Sequence, residues 1–277
     1  MSETEQTATI PAAPADWYQW AEKREASVSG EYGVLALVGT HWLDEGPAVS
    51  IDGLPGLWAA AGHRVSVTAL PADALLVDGV PVDGVRFLDP DLALDPSVLF
   101  HHGRKLVPII REGVLALRVY DPEAENRRSF AGISRFPYDP ALVFTARYER
   151  YVHGHVERVL NADGKERGLA LNGDLVFEHG GAEYRLAVTA NGGEDFDVTF
   201  GDATNGPDTF GFRQLTVPAP HLDDPDNPDS GTTVLDFNRA QLPPCAFSDH
   251  FICPVPPVGN RLELAVAAGE KRREVRT

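Results

Sequence analysis

The chain has 277 residues, with 41 Asp and Glu against 24 Lys and Arg, for a formal net charge of −17. So acidic a protein is not a nucleic-acid binder, which needs a basic face to displace counterions from phosphates, and it does not adhere to anionic lipid. The longest apolar run, Val34 to Leu43, is broken by Gly39, Thr40 and His41 and falls short of the about 20 residues a helical bilayer span needs.

At 43% hydrophobic residues, with 13 Phe and 4 Trp, the chain can bury a sizeable core. A prior of about 150 residues per domain gives about two domains, or one large all-β unit. Two cysteines in this length are no disulfide scaffold. Met1 to Pro14 has neither a basic n-region nor an apolar h-region, so residues 1–14 are expected to be a disordered arm on a cytoplasmic protein. Basic charge comes from 20 Arg and only 4 Lys. That bias fits both a high-salt interior and a GC-rich genome, and the two stay open.

In chain order, a helix comes first. Asp16 can cap it, and Trp17, Trp20, Ala21 and Arg24 fall at i, i+3, i+4 and i+7, one face that docks on the body. Gly30 and Gly33 end the helical character. The pattern then turns to β, with short apolar runs divided by turn residues. These are Arg64–Leu70, Ala74–Val77, Val98–His101, Val107–Ile110, Val114–Val119, Leu142–Tyr151, Tyr184–Val188, Phe196–Phe200, Thr232–Phe237 and Arg261–Val266. Asp78-Gly79, Asp83-Gly84 and Glu112-Gly113 read as hairpin turns. The expected fold is mainly β, with antiparallel sandwich- or barrel-like sheets and one N-terminal helix. Prolines in Phe136-Pro137-Tyr138-Asp139-Pro140 interrupt pairing, so the boundary is drawn there. Residues 15–135 form the helix with one β-subdomain and residues 136–277 a second, the two sharing one core or not. Asp223 to Asp229 reads as an exposed acidic loop.

The C-terminal stretch is the most distinctive. It reads Val234-Leu235-Asp236-Phe237-Asn238-Arg239-Ala240, Pro243-Pro244-Cys245-Ala246-Phe247, Cys253-Pro254-Val255-Pro256-Pro257, Asn260-Arg261-Leu262 and Ala268-Gly269-Glu270-Lys271. Upstream stand Trp42-Leu43, Leu117-Arg118-Val119-Tyr120-Asp121, Phe130-Ala131-Gly132-Ile133, Phe136-Pro137 and Phe200-Gly201-Asp202-Ala203-Thr204-Asn205-Gly206. Together these resemble the DUF1684 family of uncharacterised proteins, from about Trp17 to Lys271. The chain departs from that pattern at Gln241 and Leu242, where the family has Asn and Tyr, and at Phe210, where it has Tyr. The resemblance implies no activity.

On their own chemistry, Asp236 and Asn238 share one face if the segment is a strand, about 7 Å apart. A carboxylate there can serve as general base and an amide can steady an oxyanion. Arg239 and Arg261 can clamp a carboxylate or phosphate. With Asn260, Arg118, Asp202 and Thr204 they are the candidate pocket of a small-molecule-binding protein or enzyme for a small anionic ligand. The plainer reading is a buried Arg–Asp pair and an Asn that ties down a loop. The alternative function is a non-enzymatic interaction module. Arg64–Leu70 with the Asp78-Gly79 hairpin faintly resembles the C-terminal strands of a forkhead-associated sandwich, with His63, Arg64 and Arg104 as poor phosphate readers.

Cys245 and Cys253 flank His250 and read as two small buried thiols ahead of a metal site, a nucleophile or a local disulfide. His153 and His155 read as solvent-facing on a strand whose Val152 and Val156 face the core. His41, beside Trp42, reads as a core histidine ahead of a general base. The chain has no G-x-S-x-G, P-loop, G-x-G-x-x-G or H-E-x-x-H. No metal centre is expected, and the cofactor and oligomeric state are not specified.

Overall fold

Local turn chemistry sets where the strands reverse. Asp78-Gly79, His102-Gly103 and Glu112-Gly113 each carry two consecutive positive φ angles, 51° and 78°, 47° and 80°, and 48° and 82°. This is the primed turn whose twist matches paired antiparallel strands. The computed structural model describes residues 12–192, 195–220 and 230–276. The acidic loop from Asp223 to Asp229 and most of the N-terminal arm lie outside these. The protein is mainly β with antiparallel sheets, and one N-terminal helix, α1 (Ala15–Ser29). Trp17 is buried on that helix, and its indole N–H donates to the Asn238 carbonyl at 2.9 Å. Among the described residues, no helix is long and apolar enough to cross a membrane.

The chain divides into two compact units. The N-terminal unit holds Ala26–Phe130 with Phe247–Phe251. Its strands are β1 (Leu37–Leu43), β2 (Leu57–Ala61), β3 (Arg64–Ala69), β4 (Leu75–Val77), β5 (Val80–Pro81), β6 (Gly84–Leu88), β7 (Leu99–His101), β8 (Arg104–Arg111) and β9 (Val114–Tyr120), followed by one helical turn, α2 (Glu125–Arg128). They form a sheet in the order β1-β9-β8-β7-β4-β5 and a smaller one in the order β2-β3-β6. Alternate residues Val65, Val67 and Ala69 turn inward onto Trp58, Leu88, Leu106 and Leu117, the period-two burial of a strand with one covered face. Asp83-Gly84 makes no hairpin, because β5 pairs with β4 and β6 pairs with β3. Pro81 removes a ladder donor and ends β5 after two residues.

The C-terminal unit holds the described residues up to Glu25, then Ala131–Ala246 and Ile252–Val275. Its strands are β10 (Phe130–Arg135), β11 (Val143–Leu160), β12 (Glu166–His179), β13 (Ala182–Ala190), β14 (Asp195–Phe200), β15 (Arg213–Pro218), β16 (Ser230–Asp236) and β17 (Glu270–Val275). β10 pairs with β17, and the rest run in the order β15-β14-β13-β12-β11-β16. The Thr233 hydroxyl donates to the Pro218 carbonyl at 2.8 Å across the two outer strands, so the sheet is nearly a closed barrel. Leu175, Phe177, Leu186, Phe200, Leu215, Leu235 and Phe237 fill it, with Phe200 and Phe177 edge-on to Phe237 at 5.4 and 5.7 Å.

Two sequence expectations fail in this unit. β11 runs on to Leu160, well past Tyr151, and there Val152 and Val156 are 79% and 64% exposed rather than in the core. The β16 ladder covers only Val143–Glu149, and the β12 register slips between Arg150 and His155. The far half of β11 is therefore a ribbon paired to β12, with His153 and His155 exposed as expected. Opposite the slip stands Gly173, where a Cβ would lie 2.5 Å from the Glu149 carbonyl and 2.6 Å from the Tyr148 ring. Only glycine lets the ring cross there. The expected strand Arg261–Val266 is irregular beyond a single bridge, Gly201↔Arg261. Backbone bonds hold its first half, from Leu262 N–H to the Gly201 carbonyl at 2.8 Å and from Ala203 N–H to the Leu264 carbonyl at 3.1 Å, and a side chain takes over beyond, where Val266 N–H donates to Asp202 Oδ1 at 3.2 Å.

Candidate functional site

Asp236 ends β16, and Phe237–Arg239 turn into a 3-10 helix, so Asp236 and Asn238 do not share a strand face. The Asp236 Oδ1 accepts from the Asn238 backbone N–H at 3.0 Å and from its amide at 2.9 Å. A short polar side chain that bonds the backbone two residues on competes with strand geometry and wins here. Asn238 is fully buried, and its amide also donates to the Asp139 carbonyl and accepts from the Asp139 N–H, at 2.9 and 2.8 Å. The Arg239 Nε–H donates to Asp236 Oδ2 at 3.2 Å, its other arm pairs with Asp16, and its guanidinium lies 5.9 Å over Trp20. Tyr138 packs edge-on against Trp17. Burial and the charges of Asp236 and Asp16 hold its phenol above the usual range. These contacts dock α1 on the barrel.

The second cluster is a buried polar network. Asp202 Oδ1 accepts from the Thr204 N–H and hydroxyl at 2.8 and 2.6 Å, and Oδ2 accepts from Arg213 at 2.8 Å. Arg213, fully buried on β15, also donates to the Ala268 and Val266 carbonyls. Burial pushes its guanidinium down, and Asp202 opposes that shift. Glu270 is equally buried, accepting from Leu242 N–H at 2.7 Å and from Arg24 at 3.2 Å. Asn260 spends its amide on Ala187 N–H, Ala187 carbonyl and Thr199 carbonyl, at 2.7, 2.8 and 2.9 Å. The pairings of Arg213 with Asp202 and of Glu270 with Arg24 were not legible, since the tertiary fold sets them and they leave no local pattern. Arg261 is exposed. Arg118 belongs to the N-terminal unit, 5.1 Å over the Phe251 ring, with a buried Nε that has no hydrogen-bond partner among the described residues.

None of these eight residues lines the largest of the described clefts. That cleft, about 450 Å³, opens in the barrel wall and is lined by Val143, Phe144, Thr145 and Arg147 of β11, Val176, Phe177 and Glu178 of β12, Glu183 of β13 and Thr232 of β16. Its origin is a parting of strands. The β11–β12 ladder stops at Arg147↔Val176. Below that point β11 continues on β16 to Val143, and β12 continues on β13 to His179. Phe144 and Phe177 meet at 4.8 Å at the gap, and His179 stands edge-on to Phe144 at 5.5 Å. The rim is charged. Arg147 pairs with Glu149 and lies 3.9 Å from Glu183, which also pairs with Arg185 at 3.2 Å. Glu178 has no ion-pair partner among the described residues and is exposed.

The segment that forms this barrel is the one a family model matches. Residues 128–271 match the model of a family described as "Protein of unknown function (DUF1684)". The chain belongs to the DUF1684 family. The matched DUF1684 segment takes in β11 to β16, and with them every residue that lines the cleft. The chain is also similar to the solution NMR structure of an uncharacterized protein of Haloarcula marismortui, at 31% identity over 51% of this chain and 77% of that one, with a TM-score of 0.40. No curated protein matches it.

A smaller cleft of about 260 Å³ in the N-terminal unit is lined by Val38, His41, Asp52, Leu54, Arg104, Val119 and Asp121. Arg104 donates to Asp121 at 2.8 Å. Burial first and the charge of His250 second hold the His41 imidazole below its ordinary value. His41 is therefore half-buried at a cleft rather than sealed in the core.

Proposed function

We propose that this DUF1684 protein binds a small molecule with an apolar or aromatic body and a cationic or hydroxyl-bearing head, in the cleft where β11 and β12 part. The observation that carries this reading is the cleft itself, about 450 Å³ with Phe144 and Phe177 at its base and Glu178 at its rim. Ligand sites are concave and largely apolar, with a few polar groups that fix orientation, and small barrels hold ligands in this way. The charge at the rim favours a cation over the anion that the arginines of the sequence motif suggest. Arg147 is engaged by Glu149 and Glu183, whereas Glu178 is open. The polar clusters around Asp236 and Asp202 support the barrel that holds the cleft. The experiment is a fragment screen read by amide chemical shifts on the full chain. Hits should perturb Val143–Arg147 and Val176–Glu178 together, and hits confined to other segments contradict the reading.

A further inference from the structure

We propose that Cys245 and Cys253 are a peroxide-responsive thiol pair that closes to an intrachain disulfide. Both are buried thiols, 9% and 6% exposed, and are not joined. The Cys245 backbone N–H donates to Cys253 Sγ at 3.2 Å. That nitrogen is three bonds from the sulfur of Cys245, so the two thiols are neighbours. The same N–H is a partial positive charge held at the Cys253 sulfur. The thiolate is the form that attacks an oxidant.

The backbone around both residues is pinned. Cys245 sits in the 3-10 turn Pro244–Ala246, just after Leu242, whose N–H is held by Glu270. The Cys253 carbonyl accepts from Ala162 N–H at 2.8 Å. Among the described residues, no group of three His, Cys, Asp or Glu side chains is placed to hold a metal. Its place in the chain gives the reaction a structural consequence. Both cysteines belong to the C-terminal unit, and the five residues Phe247–Phe251 between them belong to the N-terminal unit. The disulfide would clasp the chain where it leaves the C-terminal unit and where it returns.

The oxidant is hydrogen peroxide. The Cys253 thiolate attacks one peroxide oxygen, an S–O bond forms, the O–O bond breaks, and hydroxide leaves, giving a sulfenic acid. The Cys245 sulfur then attacks that sulfur. The S–S bond forms, the S–O bond breaks, and the hydroxide released takes up a proton as water. Two thiols are oxidised by two electrons while one peroxide is reduced to two waters.

The test treats the reduced full chain with one equivalent of hydrogen peroxide, then unfolds it and alkylates every remaining thiol. The expected result is loss of both alkylation sites in the monomer, with the tryptic peptide 240–261, which carries both cysteines, lighter by two hydrogens. A Cys245→Ser chain should stop at a dimedone-trappable sulfenic acid on Cys253. The wild-type reading stands alone if that variant does not fold. Two alkylatable thiols after treatment, a disulfide between two chains, or Cys253 carried to sulfinic acid with Cys245 still alkylatable would each overturn the proposal.

Discussion

Arg213 donates to Asp202 at 2.8 Å with neither side chain reachable by solvent. The pair holds the irregular stretch from Leu264 to Glu270 against the loop after β14, because Arg213 also reaches the Ala268 and Val266 carbonyls and Asp202 receives Val266 N–H. Asp202 and Arg213 thus extend by side chains the backbone contacts that Gly201 and Ala203 make to Leu262 and Leu264.

Removing one partner leaves an uncompensated buried charge. Arg213→Met should therefore lower unfolding free energy by about 3–5 kcal/mol, measured by urea denaturation. The double variant Arg213→Met, Asp202→Asn should recover part of that loss, since it removes both charges. Equal losses in the single and double variants would contradict the pairing.

Asn238 makes the same argument for the turn after β16. Asn238→Ala strands the Asp139 N–H and carbonyl and frees one contact of Asp236. Each buried group left unsatisfied costs about 1–3 kcal/mol. The urea midpoint should fall, and the fluorescence of Trp17, bonded to the Asn238 carbonyl, should shift in the folded state. An unchanged midpoint would remove the structural role.

The N-terminal unit should be acid-sensitive. Burial first and a neighbouring histidine second hold His41 and His101 below their ordinary 6.5. Between the lowered folded value and 6.5 the unfolded chain binds more protons than the folded one. Stability from these residues is thus present above 6.5 and is lost as pH falls through that window. Replacing His41 and His101 by Gln should flatten the fall in urea midpoint between about pH 7 and about pH 5. An unaltered slope would assign the acid sensitivity elsewhere.

What the sequence made legible was local. The turns at Asp78-Gly79 and Glu112-Gly113 and the helix face of Trp17 and Trp20 rest on rules that act within a few residues, and they hold. The Asp236–Asn238 strand does not, because a side-chain cap competes with the strand and no periodicity reports it. The far half of β11 is a strand as expected around His153 and His155, but Val152 and Val156 gave it an inward face that the two-stranded ribbon does not have. The cleft was invisible for a different reason. It arises where the β11–β12 ladder ends, at Arg147 and Val176, while each strand stays on its other neighbour, and such a parting is a tertiary event with no motif of its own. Phe144 lies in the expected run Leu142–Tyr151, but no expected strand covers β12, which carries Phe177 and Glu178.

The most direct measurement is a paired amide-shift titration of the full chain with 2-phenylethylamine and with 3-phenylpropionate, which share a ring and differ in the sign of the head group. The ammonium should perturb Val143–Arg147 and Val176–Glu178, and Glu178→Gln should weaken it roughly tenfold, the loss of one charge-assisted contact. The carboxylate should bind more weakly at the same residues. Tighter binding of the carboxylate, or shifts confined to the Asp236 and Arg239 turn, would contradict a cation-selecting cleft.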